Sequence, residues 1–91
     1  MIIKDEKYLV TGGTGVVGYE LCKRIIKMGG KVLILSRNEE KLRKLCNHLF
    51  STGVATIYEQ VETIVSDILD KEAIKEAMKD VRGVFHLTAL A

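Results

Sequence analysis

The glycine-rich segment at residues 11–18, which reads TGGTGVVG, constrains the fold more than any other part of the sequence. A short apolar run precedes it, and apolar residues recur after it at the spacing of a helix face, so a strand leads through a glycine turn into a helix. Gly12 can adopt a positive φ in such a turn, Gly15 leaves space for a phosphate beside the backbone, and Gly18 lets the helix pack closely on its strand. Because the first N–H groups of a helix lack intrahelical partners, they would face that phosphate.

The glycine spacing alone leaves other interpretations open. Gly13, Gly15 and Gly18 also fit a second dinucleotide-binding pattern, and a glycine-rich hairpin or linker turn is a further alternative. A kinase-type phosphate loop is excluded, because Tyr19 and Glu20 stand where that loop needs Lys and Ser or Thr. The rest of the chain has to decide between the remaining alternatives.

Length and composition exclude several classes of protein. A chain of 91 residues, 47% hydrophobic and 29% charged, is expected to form one small globular domain. The net charge of +2 is too small to indicate nucleic acid or an anionic membrane as a partner. No apolar run reaches membrane-spanning length and the first residues lack the apolar core of a signal peptide, so we expect a cytosolic protein. Cys22 and Cys46 fall on apolar helix faces and are predicted to be buried, reduced thiols.

The pattern of apolar residues predicts alternating strands and helices along the whole chain. Helix one is expected to turn Val17, Leu21 and Ile25 towards the core. Helix three is expected to begin at an Asp70 N-cap and to turn four apolar residues inward, Ile74, Ala77, Met78 and Val81. Residues 54–60 fit an added strand, a helical extension or a loop. The predicted strands lie from 7 to 10 or 11, at 31–36, at 61–66 and from 83 or 84 to 87. The predicted helices lie at 16–28, 38–51 and from 70.

This order of elements, β-α-β-α-β-α-β, predicts an α/β fold. Right-handed crossovers produce a parallel sheet with the strand order 3-2-1-4. That arrangement is the first half of a doubly wound (Rossmann) sheet, and its cofactor crevice lies at the carboxyl ends of strands one and four.

Two later motifs complete a resemblance to a known family. Ser66-Asp67-Ile68 follows the third predicted strand, and residues 84–89, VFHLTA, form the fourth strand and its exit. With the glycine segment, these motifs resemble the N-terminal half of an extended short-chain dehydrogenase/reductase, and are most similar to the sugar-nucleotide epimerase/dehydratase branch. The resemblance covers nearly the whole chain from residue 7.

The resemblance implies a role for each matching residue. Asp67 would bind the adenine amino group with Ile68 against the ring, and Leu87, Thr88 and Ala89 would line the ribose on the nicotinamide side. Two alternatives remain open, because Asp67 also suits a helix cap and Leu87 also suits the core of a strand. His86 is expected to point to the opposite face of the strand from Leu87, without a catalytic role. The pyrophosphate would be held by Gly12, Gly15, Val16 and Val17, and Thr14 and Gly18 complete the cofactor-binding segment.

The residues after strand two bear on the choice between NAD and NADP. NAD enzymes usually place Asp or Glu there to bind the ribose 2′-hydroxyl, whereas this chain has Ser36, Arg37 and Asn38. A guanidinium can pair with a 2′-phosphate and no carboxylate repels it, so we predict NADP, with NAD as the alternative. A second interpretation is that Ser36 and Glu39 form a capping box for helix two and that Arg37 is merely solvated.

The catalytic pair that the resemblance implies, Tyr-x-x-x-Lys on a helix beyond strand four, is missing. Tyr19 and Lys23 have its spacing but lie on helix one behind the phosphate loop, where a catalytic role is not expected. We therefore expect residues 1–91 to be the NAD(P)-binding N-terminal segment of a longer oxidoreductase, epimerase or dehydratase, truncated after strand four, that binds cofactor and does not turn over a nucleotide-sugar or other hydroxyl or carbonyl substrate alone. The alternatives are a non-enzymatic dinucleotide sensor and an interaction module that pairs through its open strand edge.

Overall fold

The computed structural model describes residues 2–12, 15–66 and 70–87. Four strands and three helices alternate along these residues. The strands are β1 (Lys7–Thr11), β2 (Lys31–Ser36), β3 (Val61–Val65) and β4 (Val81–His86), the helices are α1 (Val16–Lys27), α2 (Glu39–Ser51) and α3 (Lys71–Ala77), and a 3-10 turn spans Tyr58–Gln60.

The four strands form one parallel sheet with the order β3-β2-β1-β4, which confirms the predicted topology. Both central strands are buried on both faces, as their continuous apolar sequences predict. Val10, Val32 and Ile34 are fully enclosed. The carboxyl ends of β1 and β4 are neighbours, since Thr11 pairs with His86.

Each face of the sheet carries its own apolar cluster. On one face, which we call the α1–α2 face, α1 contributes Cys22, Ile25 and Ile26 and α2 contributes Leu42, Leu45 and Leu49. The other face, the α3 face, is smaller and consists of Leu9, Leu33, Leu35 and Ala77 with Ile64, Ile74 and Val81 packed against them. Burial of these side chains supplies the main stabilising free energy of the domain.

The helix ends follow local sequence signals. Asn38 Oδ1 accepts a hydrogen bond from Lys41 N at 3.0 Å, and Asp70 Oδ1 accepts one from Ala73 N at 3.1 Å, so both residues are N-caps. Gly29 follows α1 with a φ of 92°, the left-handed stop that the Gly29-Gly30 pair predicts.

The prediction was wrong in the region of α3 and β4. The helix ends at Ala77, and Met78 is its C-cap with 47% of its surface exposed, so it does not face the core. Val81 is partly buried and packs against the cluster on the α3 face, but it does so as the first residue of β4, where it pairs with Lys7. Because α3 has only seven residues, the apolar pattern that ends at Val81 does not lie in one helix. It runs from α3 into β4.

Two smaller expectations also need correction. Val17 is 67% exposed in the first turn of α1, whereas Cys22 and Ile25, further along the helix, are buried. Cys22 is buried as predicted, but Cys46 is only partly buried.

The segment at 54–60 forms neither an added strand nor an extension of α2. Gln60 Oε1 accepts hydrogen bonds from the N–H groups of Thr56 at 2.7 Å and Ile57 at 3.1 Å, and this side chain shapes the 3-10 turn that leads into β3.

Candidate functional site

The carboxyl end of β1 is held from both sides. Leu87 N–H donates to the Thr11 carbonyl at 2.9 Å, and Gly12 N–H donates to the Leu35 carbonyl at 3.3 Å. The start of the glycine turn is therefore fixed to β2 and to the end of β4. The predicted crevice lies where these chain segments meet.

Gly12 is required by the packing of the sheet. Its φ is +71°, and a Cβ at this position would overlap with the carbonyl oxygen of Leu87. The sequence predicted the positive φ, whereas the close approach of β4 was not foreseeable from the glycine pattern. Any side chain here would displace the end of β4 or the turn itself.

Gly15 stands at the N-cap of α1 beside open space. A Cβ built on Gly15 has no neighbour within 4 Å, so a ligand can approach the backbone here. Gly15 has no side chain to cap the helix, and the first turn of α1 contains no acidic residue. Val16 and Val17 in this turn are 80% and 67% exposed, and Gly18 is buried against the fold. The first N–H groups of α1 thus face outward at an end of the helix that carries partial positive charge.

The other two helices are built differently at their starts. Asn38 caps α2 and is followed by Glu39 and Glu40, while Asp70 caps α3 and is followed by Glu72 in its first turn. Acidic residues compensate the positive end of a helix. Among the described residues, α1 alone begins without a capping side chain at its N-cap and without an acid in its first turn.

The loop after β2 places three predicted residues at the carboxyl end of the sheet, the end at which α1 begins. Ser36 ends β2, and its Oγ accepts a hydrogen bond from Asn38 N at 3.2 Å. Arg37 between them is exposed. The alternative capping box from Ser36 to Glu39 is wrong, because Asn38 is the N-cap and Ser36 still belongs to the strand.

His86 and Leu87 point to opposite faces of the sheet, as expected. The His86 ring shares a hydrogen bond through Nδ1 with Oγ1 of the buried Thr11, while Leu87 packs against the cluster on the α1–α2 face. The remaining predicted site residues, Thr14, Asp67, Ile68, Thr88 and Ala89, lie outside the described residues.

Tyr19 has a structural partner that sequence reasoning missed. Thr52 Oγ1 donates its hydrogen to the His48 carbonyl at 2.8 Å, so the bond of 3.0 Å between Tyr19 Oη and Thr52 Oγ1 has the tyrosine as donor. The Tyr19 ring also lies 4.4 Å from the His48 ring, centroid to centroid. The phenol therefore joins α1 to the end of α2.

Within the described residues the thiols show no feature of a reactive or metal-binding site. Burial raises the pKa of the Cys22 thiol to about 12 and also raises the pKa of Cys46. No group of three or more His, Cys, Asp or Glu side chains in this part of the chain is placed to hold a metal ion. The described helices are also too short and too polar to cross a membrane.

Comparison with known proteins places the fold in a family. A family model described as "polysaccharide biosynthesis protein" matches residues 8–91. An uncharacterized membrane protein of Methanocaldococcus jannaschii is 38% identical over 96% of this chain and 24% of its own length, and a UDP-glucose 4-epimerase of Rickettsia bellii is 33% identical over 94% and 25%. The chain thus spans about a quarter of the length of these relatives.

Solved structures agree with this assignment. A putative short-chain dehydrogenase from Escherichia coli CFT073 superposes with a TM-score of 0.73 at 28% identity, covering 98% of this chain and 41% of that one. An actinorhodin polyketide ketoreductase with NADPH superposes with a TM-score of 0.71 at 25% identity, covering 96% and 34%. The glycine turn, the 3-2-1-4 sheet and these matches have one explanation. The chain belongs to the epimerase/dehydratase-like polysaccharide biosynthesis family of the short-chain dehydrogenases/reductases.

Proposed function

We propose that this chain binds NADP at the carboxyl ends of β1 and β4, as the cofactor-binding part of an enzyme that acts on sugar nucleotides. The start of α1 carries this proposal. Gly15 leaves open space beside the backbone, and the first turn has neither a side-chain cap at Gly15 nor an acidic residue. A pyrophosphate supplies the negative charge and the hydrogen-bond acceptors that such a helix start lacks.

The residues present fit the cofactor. Gly12, Gly15, Val16 and Val17 would hold the pyrophosphate, and Thr14 and Gly18 would complete the cofactor-binding segment. When bound, NADP would supply or accept a hydride at a substrate carbon that carries a hydroxyl or carbonyl group. Asp67 and Ile68 are proposed for the adenine, and Leu87, Thr88 and Ala89 for the ribose on the nicotinamide side.

Ser36, Arg37 and Asn38 support NADP over NAD. The position that carries a carboxylate in many NAD enzymes is Ser36, and the exposed Arg37 follows it at the edge of the sheet. A guanidinium binds phosphate oxygens through two parallel hydrogen bonds. Asn38 fixes the start of α2 and thereby the backbone that carries Arg37.

The substrate class is proposed from relatives. The matching family model is described as polysaccharide biosynthesis, and one relative is a UDP-glucose 4-epimerase. No catalytic residue is proposed in this chain. Its one Tyr-x-x-x-Lys spacing is at Tyr19 and Lys23, and the Tyr19 phenol donates its hydrogen to Thr52.

The test is a substitution whose effects on stability and on binding have opposite signs. Val16→Glu introduces an acid into the first turn of α1 at a side chain that is 80% exposed. The acid should stabilise the helix by about 0.3–1 kcal/mol and weaken NADPH binding, because it repels the pyrophosphate. Val16→Gln is the matched control, with nearly the same shape and no charge. Urea unfolding and calorimetric titration with NADPH measure the two effects.

A second variant tests the space beside Gly15. Gly15→Val should leave the unfolding free energy nearly unchanged, since nothing lies within 4 Å of the added Cβ, and should abolish binding of NADPH. Binding by Val16→Glu or Gly15→Val with wild-type affinity would show that the start of α1 is not the phosphate site.

A further inference from the structure

The outer edge of β3 is a regular strand edge with little protection against pairing. The strand is the last of the sheet on its side in the described part of the chain, and it pairs with β2 without a bulge over all five residues. Edge strands are commonly protected by charged side chains, Pro or a bulge, whereas β3 has no Pro, no bulge and a single charge, at Glu62. β4, at the opposite edge, has a register irregularity at Lys7 and Tyr8 and contains Arg82 and His86.

The pairing with β2 determines which backbone groups of β3 point outward. Ser66 N–H donates to the Ser36 carbonyl, so Ser66, Ile64 and Glu62 direct their backbone groups towards β2. Val61, Thr63 and Val65 direct theirs away from the sheet. The Val61 N–H donates to the Tyr58 carbonyl, and within the described residues the Val61 carbonyl and both backbone groups of Thr63 and Val65 remain for a partner.

We propose that a second copy of this chain pairs antiparallel along β3, with the two Thr63 residues facing each other on the twofold axis. In this register the Thr63 residues exchange two hydrogen bonds, and each Val65 N–H donates to the Val61 carbonyl of the other copy. The pairing continues the sheet from one copy into the next. It uses all the outward groups except the Val65 carbonyls, which stay accessible to water.

Side chains and charge favour this register. Val61 of one copy lies opposite Val65 of the other, and Val65 is 49% exposed in the single chain. Glu62 lies opposite Ile64, so the pairing brings no two like charges face to face. Glu62 is the only charged residue of β3, and it is held on its own sheet by Lys7 Nζ at 2.9 Å.

More apolar surface lies just before the strand. Ile57 and Tyr58 are 54% and 84% exposed. The centroid of the Tyr58 ring lies 5.5 Å from the centroid of the Phe50 ring. Antiparallel pairing brings the start of one strand beside the end of the other. The exposed surface of Ile57 and Tyr58 would thus lie near Val65 of the second copy, in both halves of the interface.

The decisive experiment places charges on the twofold axis. Wild type is expected to sediment at twice the chain mass of 10.2 kDa. Thr63→Lys and Thr63→Glu each set like charges directly opposite one another and should raise the dissociation constant of the dimer about tenfold or more. An equimolar mixture of the two variants should restore the dimer, because Lys then faces Glu. Val84→Lys is the matched control on the opposite edge, where an exposed valine is replaced and the dimer should persist.

A second measurement does not depend on the variants. Hydrogen exchange at the Thr63 and Val65 amides should slow as the wild-type concentration rises through the dissociation constant. A monomeric wild type at all concentrations, a dimer that survives Thr63→Lys, or exchange at these amides that is independent of concentration would each overturn the proposal. None of these outcomes depends on cofactor binding.

Discussion

Tyr19 Oη donates a hydrogen bond of 3.0 Å to Oγ1 of Thr52, and the Thr52 hydroxyl in turn donates one to the His48 carbonyl. The Thr52 hydroxyl is a second donor to this carbonyl in the last turn of α2, which also accepts the Thr52 N–H at 3.0 Å. The phenol is thus bound as a donor in a structural contact. The spacing of Tyr19 and Lys23 resembles a catalytic pair, but Tyr19 has a structural role that depends on its proton.

We therefore expect Tyr19→Phe to lower the free energy of unfolding by about 0.5–1.5 kcal/mol, the net contribution of a typical hydrogen bond. NADPH affinity should stay within a few-fold of wild type, and so should turnover when the substitution is made in a longer enzyme that carries this segment. Urea unfolding and calorimetry provide the comparison. Tyr58→Phe is the control, because the Tyr58 side chain is 84% exposed. A loss of turnover of about 10²–10⁴-fold would mean that Tyr19 is catalytic.

A comparison of Gly12 with Gly53 measures how tightly the phosphate loop is packed. Both have a positive φ, +71° and +77°, but a Cβ at residue 53 meets nothing within 4 Å, whereas one at residue 12 overlaps with the Leu87 carbonyl. Gly53→Ala should destabilise the fold by about 1–2 kcal/mol from backbone strain alone. Gly12→Ala should exceed that by roughly 1–3 kcal/mol, as overpacking does in a core. Equal losses in chemical denaturation would show that β4 does not press on the turn.

The proposed choice of NADP rests on Arg37 and on the absence of a carboxylate at Ser36. A hydrogen bond to a charged group contributes roughly 1.5–3 kcal/mol, so Arg37→Ala should weaken NADP by about 10- to 150-fold and NAD far less. Ser36→Asp should reverse the preference, because its carboxylate would bind a 2′-hydroxyl and repel a 2′-phosphate. Both cofactors should be titrated at one salt concentration, since salt screens exposed charges. Equal weakening of both cofactors by Arg37→Ala would rule out a role in reading the phosphate.

The sheet could be predicted from the sequence because each of its two central strands is a continuous apolar run, bounded by glycine or polar residues. The caps at Asn38 and Asp70 also lie within a few residues of what they bind, so local chemistry determines them. Met78 and Val81 were misassigned because helix three stops after seven residues, and only the pairing of Val81 with Lys7 decides where the strand begins.

At the candidate site, contacts between residues that are distant in sequence could not be predicted. Nothing near Tyr19 in the sequence indicates Thr52, and nothing near Gly12 indicates Leu87. The glycine pattern predicts the conformation of the turn, whereas its neighbours depend on the order in which the strands are arranged.

Residue 12 and Leu87 lie so close together that any side chain at residue 12 would overlap with Leu87. This proximity links ligand binding to folding. Gly12 lies against the Leu87 carbonyl only after β4 has docked beside β1. A ligand that binds the completed turn therefore stabilises the docked β4 by mass action, and local opening of β4 releases the ligand. The affinity of the phosphate loop is, in this sense, also a measure of how firmly β4 is held beside β1.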